Sequence, residues 1–341
     1  ASRAGLHSGY GTGLFSSFVD GYPMLGHNGG IEGFVSSFAY STSRDVGYVV
    51  LLNSTHSGDA MRRISQLAVR YLKADVDPPA KMEAEVPEPI LRSYEGYYHQ
   101  ANPRNQAFAF MEWLFGGQTI LVNGRHLQAS PVFGRGSSLV PVANNLFRLE
   151  ADPEPSRAFA SDESGTMVLT GGMLYAERKP RWRVESVRWP VLVSAALILT
   201  PLLMMIPWIV TALARRRVRR SAEREGGSAR REDGRAQPAG FWWLKLWLLC
   251  CSIGILLPVI GVMGAGVAQL GSRNAWTAAI FAGSLLLPAA AILSFLSTID
   301  AFMSAAGKWL RAYALLVSVA ALIVSGYLSA WGMLAFRPWN F

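Results

Sequence analysis

The sequence predicts a multidomain membrane protein. It combines the end of a mixed α/β domain (an antiparallel sheet with helices), a small all-β domain and a four-helix transmembrane region. Three observations predict this. Hydrophobic residues make up 51% of the 341 and charged residues only 16%, against about 25% charge in an ordinary soluble chain. The missing charge falls after Arg188, where four long apolar stretches follow one another. The part before it alternates short apolar runs with Gly, Pro, Asn and Asp, the pattern of strands and turns. These features exclude a wholly soluble cytosolic protein and a disordered one.

Taken in order, residues 1–75 read as the closing piece of the α/β domain. Apolar runs at 34–40 and 46–53, joined by 41–45, predict a β-hairpin. A helix over 59–73 follows, with Met61, Ile64, Leu67, Ala68, Tyr71 and Leu72 on one face. The Pro- and Glu-rich stretch 76–90 reads as a linker. Residues 91–185 predict the small β domain, with short runs at 108–115, 119–123, 147–149 and 167–170. Tyr94, Tyr97, Tyr98, Trp113, Phe147 and Tyr175 are available to fill a barrel or sandwich.

The apolar stretches predict membrane spans at 189–213, 246–270, 275–299 and 312–336. Each is about 25 residues, enough to cross ~30 Å of hydrocarbon as a helix. Trp189, Trp242, Trp243, Trp276, Trp309 and Trp331 fall near their ends, at headgroup level. Pro201, Pro207, Pro258 and Pro288 lie inside them, as membrane helices tolerate.

The net charge of +9 has a topological explanation, because nine arginines lie within 215–235, beside the first span. The positive-inside rule places the loop 214–241 in the cytoplasm. The loop 300–311, with Lys308 and Arg311, falls on the same side, and the globular part and C-terminal tail fall on the other. No nucleic-acid partner is implied. Cys250 and Cys251 are adjacent, poorly placed for a normal disulfide, and no His or Cys spacing makes a metal site. No cofactor is implied either. No buried ionisable residue is expected within a span, which argues against a proton-coupled transporter or pore. One helix suffices to anchor a domain, so four leave room for a membrane-protein partner.

The chemistry concentrates in one segment. Gly9-Tyr10-Gly11-Thr12-Gly13 precedes Gly26-His27-Asn28-Gly29-Gly30, and Gly33-Phe34 follows. Glycines are costly to order, so a cluster of them around polar residues suggests close backbone approach to a ligand or unusual dihedrals. A histidine there is suited to carrying a proton or donating a hydrogen bond, and a glycine amide to meeting an oxyanion. From spacing alone, a glycine-rich turn with an incidental histidine is an equal reading.

These residues resemble the third conserved motif of the class C β-lactamase-related serine hydrolases, a superfamily that includes penicillin-binding proteins, D-aminopeptidases and esterases. In that superfamily an edge strand beside the active site carries Lys-Thr-Gly or His-x-Gly, and here the triplet is His27-Asn28-Gly29. The resemblance implies that His27 helps bind a substrate carboxylate or polarises the catalytic network. It further implies that Asn28 and Gly29 line the cleft and that the Gly30 amide is an oxyanion donor. The hairpin and the 59–73 helix resemble the end of that serine β-lactamase-like fold. The β domain, with Tyr94-Glu95-Gly96-Tyr97-Tyr98, resembles the lipocalin-like appendage of such hydrolases.

The departure lies in the other motifs. The superfamily's nucleophile and base come from Ser-x-x-Lys, and a Tyr-x-Asn supplies a proton shuttle. Ser-x-x-Lys occurs nowhere in these 341 residues, and Tyr22-Pro23-Met24 and Tyr40-Ser41-Thr42 lack the Asn. Nucleophile and general base are therefore expected upstream of Ala1, no signal peptide is expected within these residues, and the chain alone is expected to be inactive. Two functions stay open. One is a membrane-anchored serine hydrolase acting on a peptide, amide or ester outside the cytoplasm, present here as a fragment. The other is a non-catalytic peptide- or glycan-binding or scaffolding relative. Resemblance and topology together imply a bacterial inner (plasma) membrane home, multi-pass, with the soluble domains outside the cytoplasm. His7, His56, His99, His126 and Glu32 are expected to be structural or exposed.

Overall fold

The computed structural model describes residues 4–340 apart from 20–21, 32, 43, 55–57, 73, 75–79, 104, 151, 153, 225–239 and 305–306. His56 and Glu32 lie outside the described residues. The chain forms two compact units, Ala1–Val184 and Glu185–Phe341.

The first unit opens with a five-stranded antiparallel sheet, β1 (Gly9–Tyr10), β2 (Phe15–Val19), β3 (Tyr22–Ile31), β4 (Phe34–Ser41) and β5 (Val46–Leu52), in chain order. Strand β4 pairs with β5 from Val35, opposite Leu52, through to Ser41, opposite Val46. The apolar and β-branched residues of both strands give this hairpin its pleated surface. Helix α1 (Gly58–Leu72) follows, packing on β4 and β5. It buries Met61 and Val69. Only part of the sequence-predicted apolar face is covered, since Ile64, Leu67 and Tyr71 are exposed at 40%, 62% and 83%. The physical reason is geometric: those three lie to one side of the stripe, turned away from the sheet that Met61 and Val69 meet.

The second part of this unit is a closed, all-antiparallel eight-stranded barrel. Its strands are β6 (Gly96–Gln100), β7 (Gln118–Asn123), β8 (His126–Pro131), β9 (Ser137–Pro141), β10 (Leu146–Leu149), β11 (Arg157–Ser161), β12 (Met167–Gly171) and β13 (Leu174–Arg178). Each strand pairs with the next, and β13 closes on β6 with Ala176 opposite Gln100. Closure removes the unpaired edges that an open sheet would expose. Tyr98, Ile120, Leu127, Leu139, Phe147, Phe159 and Leu169 fill the interior. Tyr94 stacks on Phe159 with ring centroids 4.4 Å apart, and Phe147 meets Phe159 edge-on at 5.3 Å. Burial pushes the Tyr98 phenol up to about 12, against the opposing pull of the Arg178 charge. That hydroxyl donates to the Tyr94 carbonyl at 2.9 Å.

One sequence expectation is corrected here. Residues 108–115 are helical, a 3₁₀ turn over Gln106–Phe108 leading into α3 (Ala109–Phe115). The Asn105 side chain accepts from the Ala107 amide and starts the turn. Ala109 and Leu114 are buried, and the Trp113 carbonyl meets His99 Nε2 at 3.0 Å. The helix therefore covers the outward side of β6, which is why Tyr97 and His99 are buried as well as Tyr98.

The described end of the Pro-rich stretch lies along the barrel. Ala84 donates its amide to the Pro141 carbonyl, and Lys81 reaches the Glu150 carbonyl. The buried Arg148 donates from Nε to the Met82 carbonyl at 2.7 Å and from Nη1 to the Glu150 carbonyl at 3.1 Å. A short helix α2 (Glu88–Ser93) then places Leu91 in the barrel core. Near the start of the chain, Leu6 is buried and the Asn145 side chain donates to the Ala4 carbonyl.

In the second unit, four helices are long and apolar enough to cross a membrane. They are α4 (Arg181–Arg224), α5 (Gly240–Gln269), α6 (Ala275–Met303) and α7 (Lys308–Ala330). Helix α4 begins eight residues before the 189–213 span and α7 ends at Ala330, before the 336 read from hydropathy; Gly332, with φ of 70°, follows the stop. Asn274 caps α6, accepting from the Trp276 and Thr277 amides, while the Thr277 hydroxyl accepts from the Asn274 amide.

Helices α5 and α6 meet backbone to backbone. A Cβ on Gly254 would sit 2.7 Å from the Leu287 amide, and one on Gly261 would sit 2.6 Å from the Trp276 carbonyl. A Cβ on Gly283 would enter the Pro258 ring. Small residues allow this approach where lipid supplies no hydrophobic drive. Ser and Thr hydroxyls add polar ties. The Ser252 hydroxyl donates to the Ile198 carbonyl at 2.5 Å, Thr200 meets Tyr313 at 2.9 Å, and Thr298 meets Ser318 at 3.3 Å.

Two outcomes follow from this packing. Phe147→Ala should destabilise the barrel by ~3–5 kcal/mol, read as a loss of near-ultraviolet dichroism at lower denaturant. Gly283→Val should cost ~1–3 kcal/mol through overpacking, read as a lower melting temperature in detergent. Gly326→Ala, where an added Cβ meets nothing within 4 Å, should leave that temperature unchanged.

Candidate functional site

All four sequence-predicted site residues fall consecutively on β3. Strand β3 pairs with β2 only from Tyr22 to Gly26, Phe15 standing opposite Gly26. From His27 to Ile31 it pairs with β4 alone, His27 opposite Phe38 and Gly30 opposite Val35. Among the described residues no strand lies on the other side of 27–31. In an antiparallel ladder alternate residues point their N–H and C=O to opposite sides, so this half of β3 presents unpaired backbone groups. Asn28, Gly29 and Gly30 are exposed, and His27 is half-buried.

Two glycines permit this arrangement. A Cβ on Gly26 would run into the Phe38 carbonyl and lie 2.9 Å from the Ala39 Cβ. A Cβ on Gly29 would sit 2.5 Å from the Ser36 hydroxyl. The strand comes this close to β4 only because those side chains are missing.

The His27 ring is held by two aromatics. Its Nε2 is 2.9 Å from the Tyr10 hydroxyl. The Tyr10 ring meets it edge-on at 5.9 Å, and the Phe15 ring lies 5.9 Å away on a tilt. Tyr10 stands opposite Phe15 in the β1–β2 pair, so the strand order brings both rings to the histidine. The Tyr10 bond fixes which imidazole nitrogen is engaged and leaves Nδ1 for another partner. Sequence reasoning missed Tyr10 and Phe15 in this role. Their only signal is the Gly-Tyr-Gly-Thr-Gly run, whose turn folds Tyr10 back toward β3.

The other described histidines have partners or surroundings of their own. His7 is exposed, and its carbonyl accepts from the Ser16 hydroxyl. His99 is buried against Trp113 with ring centroids 5.1 Å apart. His126 Nε2 lies 3.3 Å from a Glu83 carboxylate oxygen. Among the described residues no group of three or more His, Cys, Asp or Glu could hold a metal ion. The site can therefore offer hydrogen bonds from an imidazole, a carboxamide and strand-edge amides. No serine stands at Ser-x-x-Lys spacing anywhere in the chain.

No protein-family model matches this chain, and no curated protein matches it. Solved structures give distant likenesses. The octameric penicillin-binding protein homologue from Pyrococcus abyssi is 19% identical over 50% of this chain and 37% of its own, with a TM-score of 0.20. SurE with D-Leu is 20% identical over 51% of this chain and 40% of its own, TM-score 0.31. SurE itself is 19% identical over 50% and 37%, TM-score 0.30. The chain thus spans well under half the length of these proteins, and no residue role is carried across from them.

Tyr10→Phe should leave the fold intact, changing stability by about 1 kcal/mol or less, and should alter the His27 imidazole ¹⁵N shifts as Nε2 loses its partner. Unchanged shifts would mean that the Tyr10–His27 bond is not populated.

Proposed function

We propose that this chain is a multi-pass membrane protein whose β3 edge recognises a peptide or another amide- or ester-bearing ligand without carrying a nucleophile of its own. One observation carries the reading: among the described residues, 27–31 of β3 pair on one side only, with His27 and Asn28 on that free half. An extended ligand can add to such an edge through main-chain hydrogen bonds, while side chains beside it set selectivity. Asn28 would take the ligand's polar backbone. His27, steadied by Tyr10, would donate from Nδ1 to a carboxylate or carbonyl. The arginine-rich 215–235 segment favours the cytoplasmic side for the α4–α5 loop, which puts this edge outside the cytoplasm, at a bacterial plasma membrane.

The second reading is the serine hydrolase. The position of His27-Asn28-Gly29 on the half of β3 that pairs with β4 alone supports it, since the resemblance implies an edge strand there. In that reading the Gly30 amide faces the oxyanion of the tetrahedral intermediate, and the reacting serine and its lysine lie outside these 341 residues. Covalent acyl transfer by this chain alone has no reacting atom.

The purified chain in detergent should bind an N-acetylated dipeptide saturably, followed by isothermal titration, and should release no p-nitrophenol from p-nitrophenyl acetate. His27→Ala and Asn28→Ala should each weaken dipeptide binding by roughly tenfold, the scale of one lost hydrogen bond. A serine-linked acyl adduct in the intact mass of the protein isolated from its own membranes, on a serine outside these 341 residues, would overturn the non-catalytic reading in favour of the hydrolase. Absence of dipeptide binding, with the fold intact, would overturn the recognition role of the β3 edge.

A further inference from the structure

A second charged and aromatic group lies in the helical unit, apart from β3. The turn between α5 and α6 and the segment after α7 lie at the same end of the antiparallel α6–α7 pair. The chain after Ala330 folds back onto α6. The Phe336 amide donates to the Ser284 hydroxyl at 3.0 Å, and the Trp339 ring meets Phe281 at 5.5 Å. This brings Arg337 to α6, where its guanidinium carbon lies 6.0 Å from the Phe281 ring centre. Arg273, from the α5–α6 turn, sits 5.9 Å from the Trp339 ring centre. Two arginines thus flank one aromatic pair at the end of a membrane bundle.

Their chemistry is incomplete as it stands. Both arginines are exposed. Among the described residues neither is in an ion pair, whereas Arg62, Arg92, Arg125 and Arg148 each have a carboxylate within 4 Å. A guanidinium beside an aromatic ring keeps several N–H donors available and is weakly hydrated, a form suited to phosphate. The helix end does not compete for the anion, because Asn274 already occupies the Trp276 and Thr277 amides. Trp339 and Trp276 give the amphipathic rings that sit at headgroup depth. A charge-complementary group that is abundant at that depth is a lipid phosphate.

We propose that Arg273 and Arg337, with Trp339 and Phe281, form a docking site for an anionic phospholipid of the leaflet on the α5–α6 turn side. The lipid phosphate accepts from the guanidiniums, and its acyl chains run down the outer surface of α6. The site stands independently of what the β3 edge binds.

The test is native mass spectrometry of the full chain released from nanodiscs containing equal phosphatidylglycerol and phosphatidylcholine. Wild type should retain phosphatidylglycerol in preference, and Arg273→Gln with Arg337→Gln should lower that retention by roughly fivefold per arginine. Arg273→Lys with Arg337→Lys should keep most of it, with helix content by circular dichroism as the check on folding for every variant. Equal retention of the two lipids by wild type would overturn the proposal without reference to any variant. Undiminished phosphatidylglycerol on a folded double glutamine variant would also overturn it. Loss of the bound lipid on adding inorganic phosphate, at constant ionic strength, would assign the arginines to free phosphate instead of lipid.

Discussion

Backbone amides and carbonyls taken out of water must find partners within the chain, and this constraint organises each part of the protein. In the helical unit it favours helices across hydrocarbon, and four long apolar ones result. In the barrel it is met by closing β13 on β6, so that no strand is left at an edge. The five-stranded sheet meets it incompletely, because β2 stops pairing with β3 at Gly26. The residues left unpaired on that side begin with His27, which meets a tyrosine hydroxyl and a second ring. Unsatisfied backbone and chemically useful side chains therefore coincide at one place.

Close approach is the second theme, with glycine as its means in two different solvents. At Gly26 and Gly29 the missing side chains let β3 lie against β4 in a water-facing sheet. At Gly254, Gly261 and Gly283 they let α5 and α6 touch in an apolar bundle. The first use brings β3 against β4, while the second brings two membrane-length helices into contact. The same residue type, read from sequence, does not distinguish the two.

How much was legible followed from how local each signal is. The four membrane helices depend on apolar length alone and were visible in composition, though the helical extension to Arg181 was not, because Arg181–Arg188 is charged and joins the span through continuous backbone. The 108–115 run looked like a strand because it is aromatic-rich; its helix depends on the Asn105 cap and on β6 beneath it. The His27-Asn28-Gly29-Gly30 cluster stood out as a sequence feature. Tyr10, seventeen positions earlier, did not, since its partnership with His27 depends on a three-strand register. The uneven cover of α1, with Tyr71 exposed and Val69 buried, was equally out of reach, because a helical stripe does not say which of its flanks the sheet will meet.

The seam that closes the barrel has a mechanical side. The chain enters at Tyr97 and leaves at Lys179, and the Lys179 amide donates to the Tyr97 carbonyl at 2.8 Å. Entry and exit are neighbours at the same end of the antiparallel β6–β13 pair. Force applied at Gly96 and Lys179 would act on this pair from one end, opening its hydrogen bonds one after another instead of shearing them together. The seam is thus one that yields by peeling, once the ties of Lys81, Met82 and Tyr94 to the barrel have parted.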